Sequence, residues 1–248
     1  MSLARLVPSV KPQGIVGADT LPVRFPAAAR DGTLEQLRTW LADPWAERPA
    51  AARIKRTVDV ALVSVLLALT APVLLLAMLL IKLTSPGPAI FRQPRIGYRC
   101  RTFDMFKLRT MVVGAEKLQD DLAEAATGRT FLKIKDDPRT TLIGRVLRRL
   151  SIDELPQLHN VLRGEMSLVG PRPLLPCDFE KFPRHEQMQR FAVRPGITGL
   201  WQVMGRSRCT DKERIRLDLE YVRRHSLWLD LEILLRTVPV ALSGDGAY

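Results

Sequence analysis

Aromatic residues make up only 6% of the 248 residues, which is thin for a chain that would stack on single-stranded bases. Cysteine is equally scarce. Cys100, Cys177 and Cys209 are scattered, and an odd count without Cys-x-x-Cys spacing argues against a disulfide framework and a zinc site. The three histidines, His159, His185 and His225, are just as dispersed. Unpaired thiols fit a reducing, cytoplasm-facing location. Acidic residues are also in deficit, 26 against 38 Lys and Arg, which leaves a net charge of +12. Such a balance calls for an anionic partner: nucleic acid, anionic lipid headgroups or phosphorylated small molecules. The length allows one domain of ordinary size plus an appendage.

What the chain does have is one long apolar run. Between Asp59 and Lys82 lie 22 residues without a charge, Val60–Ile81. As a straight helix they span ~33 Å, enough to cross a hydrocarbon core. The run starts too late for a signal peptide, and no apolar h-region comes before it. Its plainest use is a single-pass anchor. Two features point elsewhere. Pro72 sits mid-run, where it removes a backbone hydrogen bond and kinks or breaks a helix. Both flanks are basic, with Arg53, Lys55 and Arg56 before and Lys82, Arg92, Arg95, Arg99 and Arg101 after. Basic flanks favour the cytoplasmic side, so a kinked segment that returns to the face it entered satisfies both ends.

Around that run the chain divides into an N-terminal extension (1–50), the membrane segment (51–84), a main domain (85–242) and a short tail (243–248). The extension is rich in Pro and Ala and reads as partly disordered, with a short amphipathic helix at Thr33–Leu41. Ser85-Pro86-Gly87-Pro88 is a turn signal. Ala89–Arg92 and Arg101–Leu108 can pair as strands around Gly97, and Gly114–Ala126 reads as a polar helix. Lys82–Arg149 holds 15 basic and 7 acidic residues; beside an anionic leaflet each basic residue is worth roughly 1 kcal/mol. Thr141–Leu150 is amphipathic, with Leu142, Val146 and Leu150 on one face and Arg145, Arg148 and Arg149 on another. A helix over Ile152–Leu162 and another over Glu213–Leu242 follow. The apolar part of the last, around Trp228, suits either a core or a lipid interface.

The sharpest local feature is Ser151-Ile152-Asp153-Glu154-Leu155-Pro156. Ser-x-x-Glu before an apolar run is a capping box, which accounts for Glu154 but not for Asp153. A carboxylate at the start of a helix is held ionised, available as a nucleophile or metal ligand. Arg145, Arg148 and Arg149 precede the pair, and Arg163 and Arg172 follow. Adjacent acids among arginines suit phosphoryl transfer, in which guanidinium forks and a divalent metal neutralise phosphate oxygens. Glu165 supplies a further acid about one helix length on. Pro171 and Pro173 stiffen a turn that presents Arg172.

At these residues the chain resembles the bacterial sugar transferase family. The resemblance is carried by Lys55-Arg56 with Asp59, by Pro72, by Ser85–Gly97 (SPGPAIFRQPRIG), by Phe106–Met111 (FKLRTM), by the block Asp136–Pro173 and by Arg194–Val203 (RPGITGLWQV). These are monotopic phosphoglycosyl transferases that prime glycan assembly on polyprenyl phosphate. The resemblance implies that a UDP-sugar gives its sugar-1-phosphate to undecaprenyl phosphate, releasing UMP. It implies Asp153 as the nucleophile of a covalent phosphosugar intermediate, Glu154 as its dyad partner and magnesium beside them, with Glu165 in the place of a further acid. By the same likeness Arg148 and Arg172 hold phosphate groups, joined by Arg145, Pro171 and Pro173. The family's membrane helix is re-entrant and broken at a Ser-Pro pair; here Ala71-Pro72 stands at the break, without the serine hydroxyl.

The expected fold is therefore mainly α with a small β element: a kinked re-entrant helix, and a compact catalytic domain with interfacial amphipathic helices. The implied location is the bacterial inner membrane, with the domain on the cytoplasmic face. Expected partners are the UDP-sugar, undecaprenyl phosphate and membrane lipids rather than nucleic acid, with room for a homodimer. The rival from another class is a membrane-tethered basic binding protein without catalysis, for which Asp153 and Glu154 are dispensable.

Overall fold

The computed structural model describes residues 41–46, 48–115, 137–176, 178, 185–205 and 209–243. Apart from their ends, the helices expected at Thr33–Leu41 and Gly114–Ala126 lie outside these residues. A 36-residue helix, α1 (Pro49–Thr84), dominates the fold. Proline is tolerated at its first position because the N–H it lacks has no acceptor there. The helix stops where Ser85 turns extended and Pro86 and Pro88 cannot continue it. Among the described residues α1 is the one helix long and apolar enough to cross a membrane, by length and composition. It runs through Pro72 as a single element. The proline leaves the Ala68 carbonyl without its usual donor. The nearby Thr70 hydroxyl bonds the Leu66 carbonyl at 2.6 Å instead, so it does not replace the missing serine.

The remainder is helical with two small sheets. Strands β1 (Ile90–Ile96) and β2 (Thr102–Leu108) form the hairpin expected around Gly97, with Ile90 opposite Leu108 and Ile96 opposite Thr102. Helix α2 (Leu142–Arg149) starts at Thr141, whose hydroxyl accepts the Gly144 N–H at 2.9 Å. A Cβ on Gly144 would run into the Thr110 backbone, so glycine lets α2 lie directly on the segment that follows β2. The helix expected over Ile152–Leu162 is corrected to a 3-10 turn, Ile152–Glu154, followed by α3 (Gln157–Leu162). Pro156 separates them because it has no N–H with which to continue the ladder. Strands β3 (Ser167–Val169) and β4 (Gly196–Thr198) pair in parallel. After α4 (Leu200–Met204), the single stretch expected over Glu213–Leu242 is two helices, α5 (Asp211–Arg224) and α6 (Leu227–Ser243). His225 turns extended, and the Ser226 hydroxyl starts α6 by accepting the Leu229 N–H at 3.1 Å.

Both halves of α1 pack on this one domain. Ala52, Val63 and Leu67 join a core with Val161, Met166 and Tyr221. Further along, Leu74, Ala77 and Ile81 pack against Leu108, Leu147 and Ile152. The opposite side of α1 is apolar and exposed at Val65, Leu69, Leu75, Leu79 and Leu83. The amphipathic reading of α2 holds with a particular sense. Leu147 is the buried residue, while Leu142, Val146 and Leu150 face outward. In α6 the two options divided by face: Leu229 and Ile233 are core, and Trp228, Leu231 and Leu235 are exposed.

A buried ionic network locks the base of α1. Lys55 Nζ lies 3.3 Å from Asp59 Oδ1 and 2.8 Å from Asp230 Oδ2. Ser167 donates to Asp59 at 2.7 Å, and Tyr221 donates to Asp230 at 2.7 Å and to the Val169 carbonyl at 3.1 Å. Arg56 donates to the last carbonyls of α3, Val161 at 2.6 Å and Leu162 at 2.9 Å. Removing the shared cation leaves two buried carboxylates facing each other. Lys55→Met is therefore expected to cost about 3–5 kcal/mol of stability, read by denaturant unfolding in detergent; a loss below about 1 kcal/mol would show the network to be incidental.

Candidate active site

Four segments converge on the Asp153-Glu154 pair. The 3-10 turn carries the two acids, β2 brings Lys107, α2 brings Arg148, and the loop after β3 brings Arg172. The capping box expected at Ser151 is not formed. Ser151 has a left-handed backbone (φ 56°) and its side chain caps nothing. Glu154 turns instead to two cations. Its Oε1 lies 3.2 Å from Lys107 Nζ and 2.9 Å from Arg172 Nη2. Tertiary charges outside the turn have taken the carboxylate that a local motif would have used.

The two acids consequently differ. Burial pushes Glu154 up, but Arg172 and Lys107 outweigh it and hold that carboxyl well below the ordinary carboxylate range. Asp153 is buried and has no hydrogen bond to its carboxylate among the described residues. Burial, and then the neighbouring Glu154 charge, raise it to about 6 against the pull of Lys107, Arg148 and Arg172. One acid stays firmly ionised; the other is more basic than an ordinary aspartate and unencumbered. That is the condition of a carboxylate nucleophile.

The charges of Lys107, Arg148 and Arg172 all reach Asp153. Arg148 is oriented by two threonines, through Nε to Thr110 Oγ1 at 2.9 Å and Nη1 to Thr140 Oγ1 at 3.3 Å. Arg95 donates from Nη1 to the Pro173 carbonyl at 3.2 Å, and its charge reaches Lys107. Pro171 and Pro173 act through the backbone. The Pro171 carbonyl accepts the Gly196 N–H at 2.9 Å, and Leu174 bridges to Ile96 of β1. Together they hold the loop that presents Arg172. Arg145 is exposed on α2, and among the described residues no hydrogen bond or ion pair ties it to the dyad. Glu165 is engaged elsewhere: it accepts from Asn160 Nδ2 at 2.7 Å and pairs with Arg163 at 3.2 Å.

No group of three His, Cys, Asp or Glu side chains that could hold a metal occurs among the described residues. The pair alone still fits magnesium. That ion is commonly held by one or two carboxylates with substrate phosphates and water completing its shell. Asp153 and the Glu154 oxygen not engaged by Lys107 and Arg172 offer such a donor set.

Lys107 was not singled out from the sequence. In β2 it lies two residues from Met105, hence on the same face as a fully buried side chain. A lysine on the buried face of a strand is the signal that could have found it. The threonines that orient Arg148 left no comparable signal.

A cluster of arginines and a lysine around two unequal carboxylates has the chemistry of a phosphate-handling enzyme site. The sequence model of the bacterial sugar transferase family matches residues 50–244, and the chain belongs to that family. It is 48% identical over 201 residues to a UDP-glucose:undecaprenyl-phosphate glucose-1-phosphate transferase of Caulobacter vibrioides, covering 78% of this chain and 72% of the relative. It is 38% identical to the exopolysaccharide production protein ExoY of Rhizobium meliloti, covering 82% of this chain and 92% of that one. It is 40% identical to an undecaprenyl-phosphate galactose phosphotransferase of Salmonella typhimurium, but spans only 42% of that longer protein. The chain is thus an enzyme of the phosphoglycosyl transferase type, and the reading as a binding protein without catalysis falls away.

In the metal-free protein the Asp153 carboxylate form grows as pH rises through about 6. Glu154→Gln removes the like charge and is expected to move this midpoint down; Lys107→Met removes a cation and is expected to move it up. Carboxyl NMR of labelled aspartate reads both shifts, and a midpoint indifferent to Glu154 would refute the coupling.

Proposed function

We propose that this enzyme transfers a sugar-1-phosphate from a UDP-sugar to undecaprenyl phosphate, giving undecaprenyl-diphosphate sugar and UMP, as the first membrane step of a surface glycan. The observation that carries this is the position of the nucleophile. Asp153 stands among the cations, while Ile152, its immediate neighbour, packs on the apolar helix α1. One residue step separates a phosphate-binding surface from the lipid anchor.

In the first step Lys107, Arg148 and Arg172 grip the donor diphosphate, and an Asp153 oxygen attacks the sugar-linked phosphorus. The bond from that phosphorus to the bridging oxygen breaks, and its electron pair leaves with UMP. In the second step a phosphate oxygen of the polyprenyl acceptor attacks the same phosphorus. The acyl-phosphate bond breaks and returns Asp153 as a carboxylate. No water enters, so excluding it from the buried Asp153 protects the intermediate. Glu154 stays anionic throughout and keeps Lys107 and Arg172 aimed. Magnesium held by the dyad would offset the charge that builds on the departing UMP.

The packing of α1 supports a same-side return. Its first half lies on α3 and β3 and its second half on α2, all within one domain. With both halves tied to the same body, a return to the face of entry is the geometry this packing favours over a spanning helix. The outward Leu142 and Val146 of α2 and Leu150 at its end, with Trp228 of α6, would lie in the lipid interface beside it. We assign this surface to the inner membrane, with the domain on the cytoplasmic side where nucleotide sugars are found.

UMP release is measured with undecaprenyl phosphate, magnesium and a panel beginning with UDP-glucose and UDP-galactose. Asp153→Asn is expected to lower turnover on the order of 1000-fold or more, as loss of a covalent nucleophile does; undiminished turnover would remove Asp153 from that role. For topology, single cysteines at Arg53 and at Ser85, in a background lacking the native cysteines, are expected to react with an impermeant label from the same face of sealed vesicles. Reaction from opposite faces would establish a spanning helix.

A further inference from the structure

A second buried charge pair lies behind the site, and it bonds the main chain of Arg172. Arg190, in the 3-10 segment His185–Ala192, donates from Nη2 to Asp218 Oδ2 of α5 at 2.5 Å. The same nitrogen donates to the backbone carbonyl of Arg172 at 2.8 Å. The Asp218 carboxylate in turn accepts the backbone N–H of Arg172. Both ends of the Arg172 main chain are therefore held by this pair, with Pro171 and Pro173 stiffening either side. From that clamped backbone the Arg172 guanidinium reaches Glu154 at 2.9 Å.

We propose that Arg190 and Asp218 are positioning residues for the transfer reaction, which set the Arg172 guanidinium against the dyad and the donor diphosphate. This rests on the reading of Arg172 as a phosphate ligand given above. Neither residue touches the dyad, and their side chains are only 3% and 2% exposed. Stability is a poor reason for such a pair. Withdrawing two charges from water costs about as much as their attraction returns, and apolar residues of the same volume often serve as well. What apolar residues cannot do is bond a backbone N–H and C=O at once. Rotation about the Arg172 backbone moves its guanidinium by several times the displacement of the main chain, so a clamp at the backbone controls the charge at the far end of the side chain.

The test is a double-mutant cycle. Asp218→Asn and Arg190→Lys are each made alone and together with Arg172→Lys, and kcat/KM for the UDP-sugar is measured from UMP release, with thermal melts alongside. Each single variant is expected to lose about 10- to 100-fold in kcat/KM, the range found when the support of a site residue is removed. In the Arg172→Lys background the same changes are expected to cost less than about 3-fold, because the group they aim is already altered. A merely structural pair would lower the melting temperature and cost the same factor in both backgrounds. That additive result, or no loss in either background, overturns the proposal. Either variant completes a cycle, so misfolding of one leaves the test intact; misfolding of both makes the pair a folding element and overturns it as well. The cycle is repeated on equilibrium binding of UDP, so absence of turnover in the unaltered enzyme would sink the reaction proposed above without deciding the clamp.

Discussion

Lys55, shared between Asp59 and Asp230, is the contact on which the rest of the arrangement depends. It joins the base of an apolar helix to α6, and Ser167 and Tyr221 extend the junction to β3 and α5. Once the base of α1 is fixed, the course of the helix brings its second half against α2 and the turn that holds Asp153. Burying one lysine between two aspartates is expensive, and it is viable here because every charge has partners on more than one element. The result is a fixed packing of an apolar surface against the turn that carries a buried carboxylate.

Within the site the deciding physics is asymmetry. Two adjacent carboxylates in one protein interior would ordinarily compete for the same proton. Lys107 and Arg172 both choose Glu154, leaving Asp153 to bear the burial and the like charge. Neighbouring acids of similar chemistry are thereby given opposite proton affinities, as in pairs of unequal carboxylates. The backbone of Arg172 is held as firmly as its side chain is aimed, so the asymmetry has support two layers deep.

Several elements could be read in advance. The hairpin around Gly97, the long apolar helix and the amphipathic α2 each carry a periodic or turn signal strong enough to survive folding. Where the reading failed, a tertiary contact overrode a local rule. Ser-x-x-Glu is a sound capping motif, yet Glu154 found two cations and Ser151 adopted a left-handed backbone.

Residue type and spacing by themselves determined that this chain carries an apolar segment long enough to cross a membrane, a basic excess and an Asp-Glu pair among arginines, because apolar length and charge are additive properties of a string. They also carried the family, since its longest block is contiguous. Only the tertiary structure decided which acid is engaged and which is not, that Lys107 lies beside the pair, that α2 buries Leu147 and turns Leu142 and Val146 outward, and that both halves of α1 rest on the same domain. Each of those depends on which distant groups share a buried volume, and electrostatic preference inside that volume is set by neighbours that no local pattern specifies.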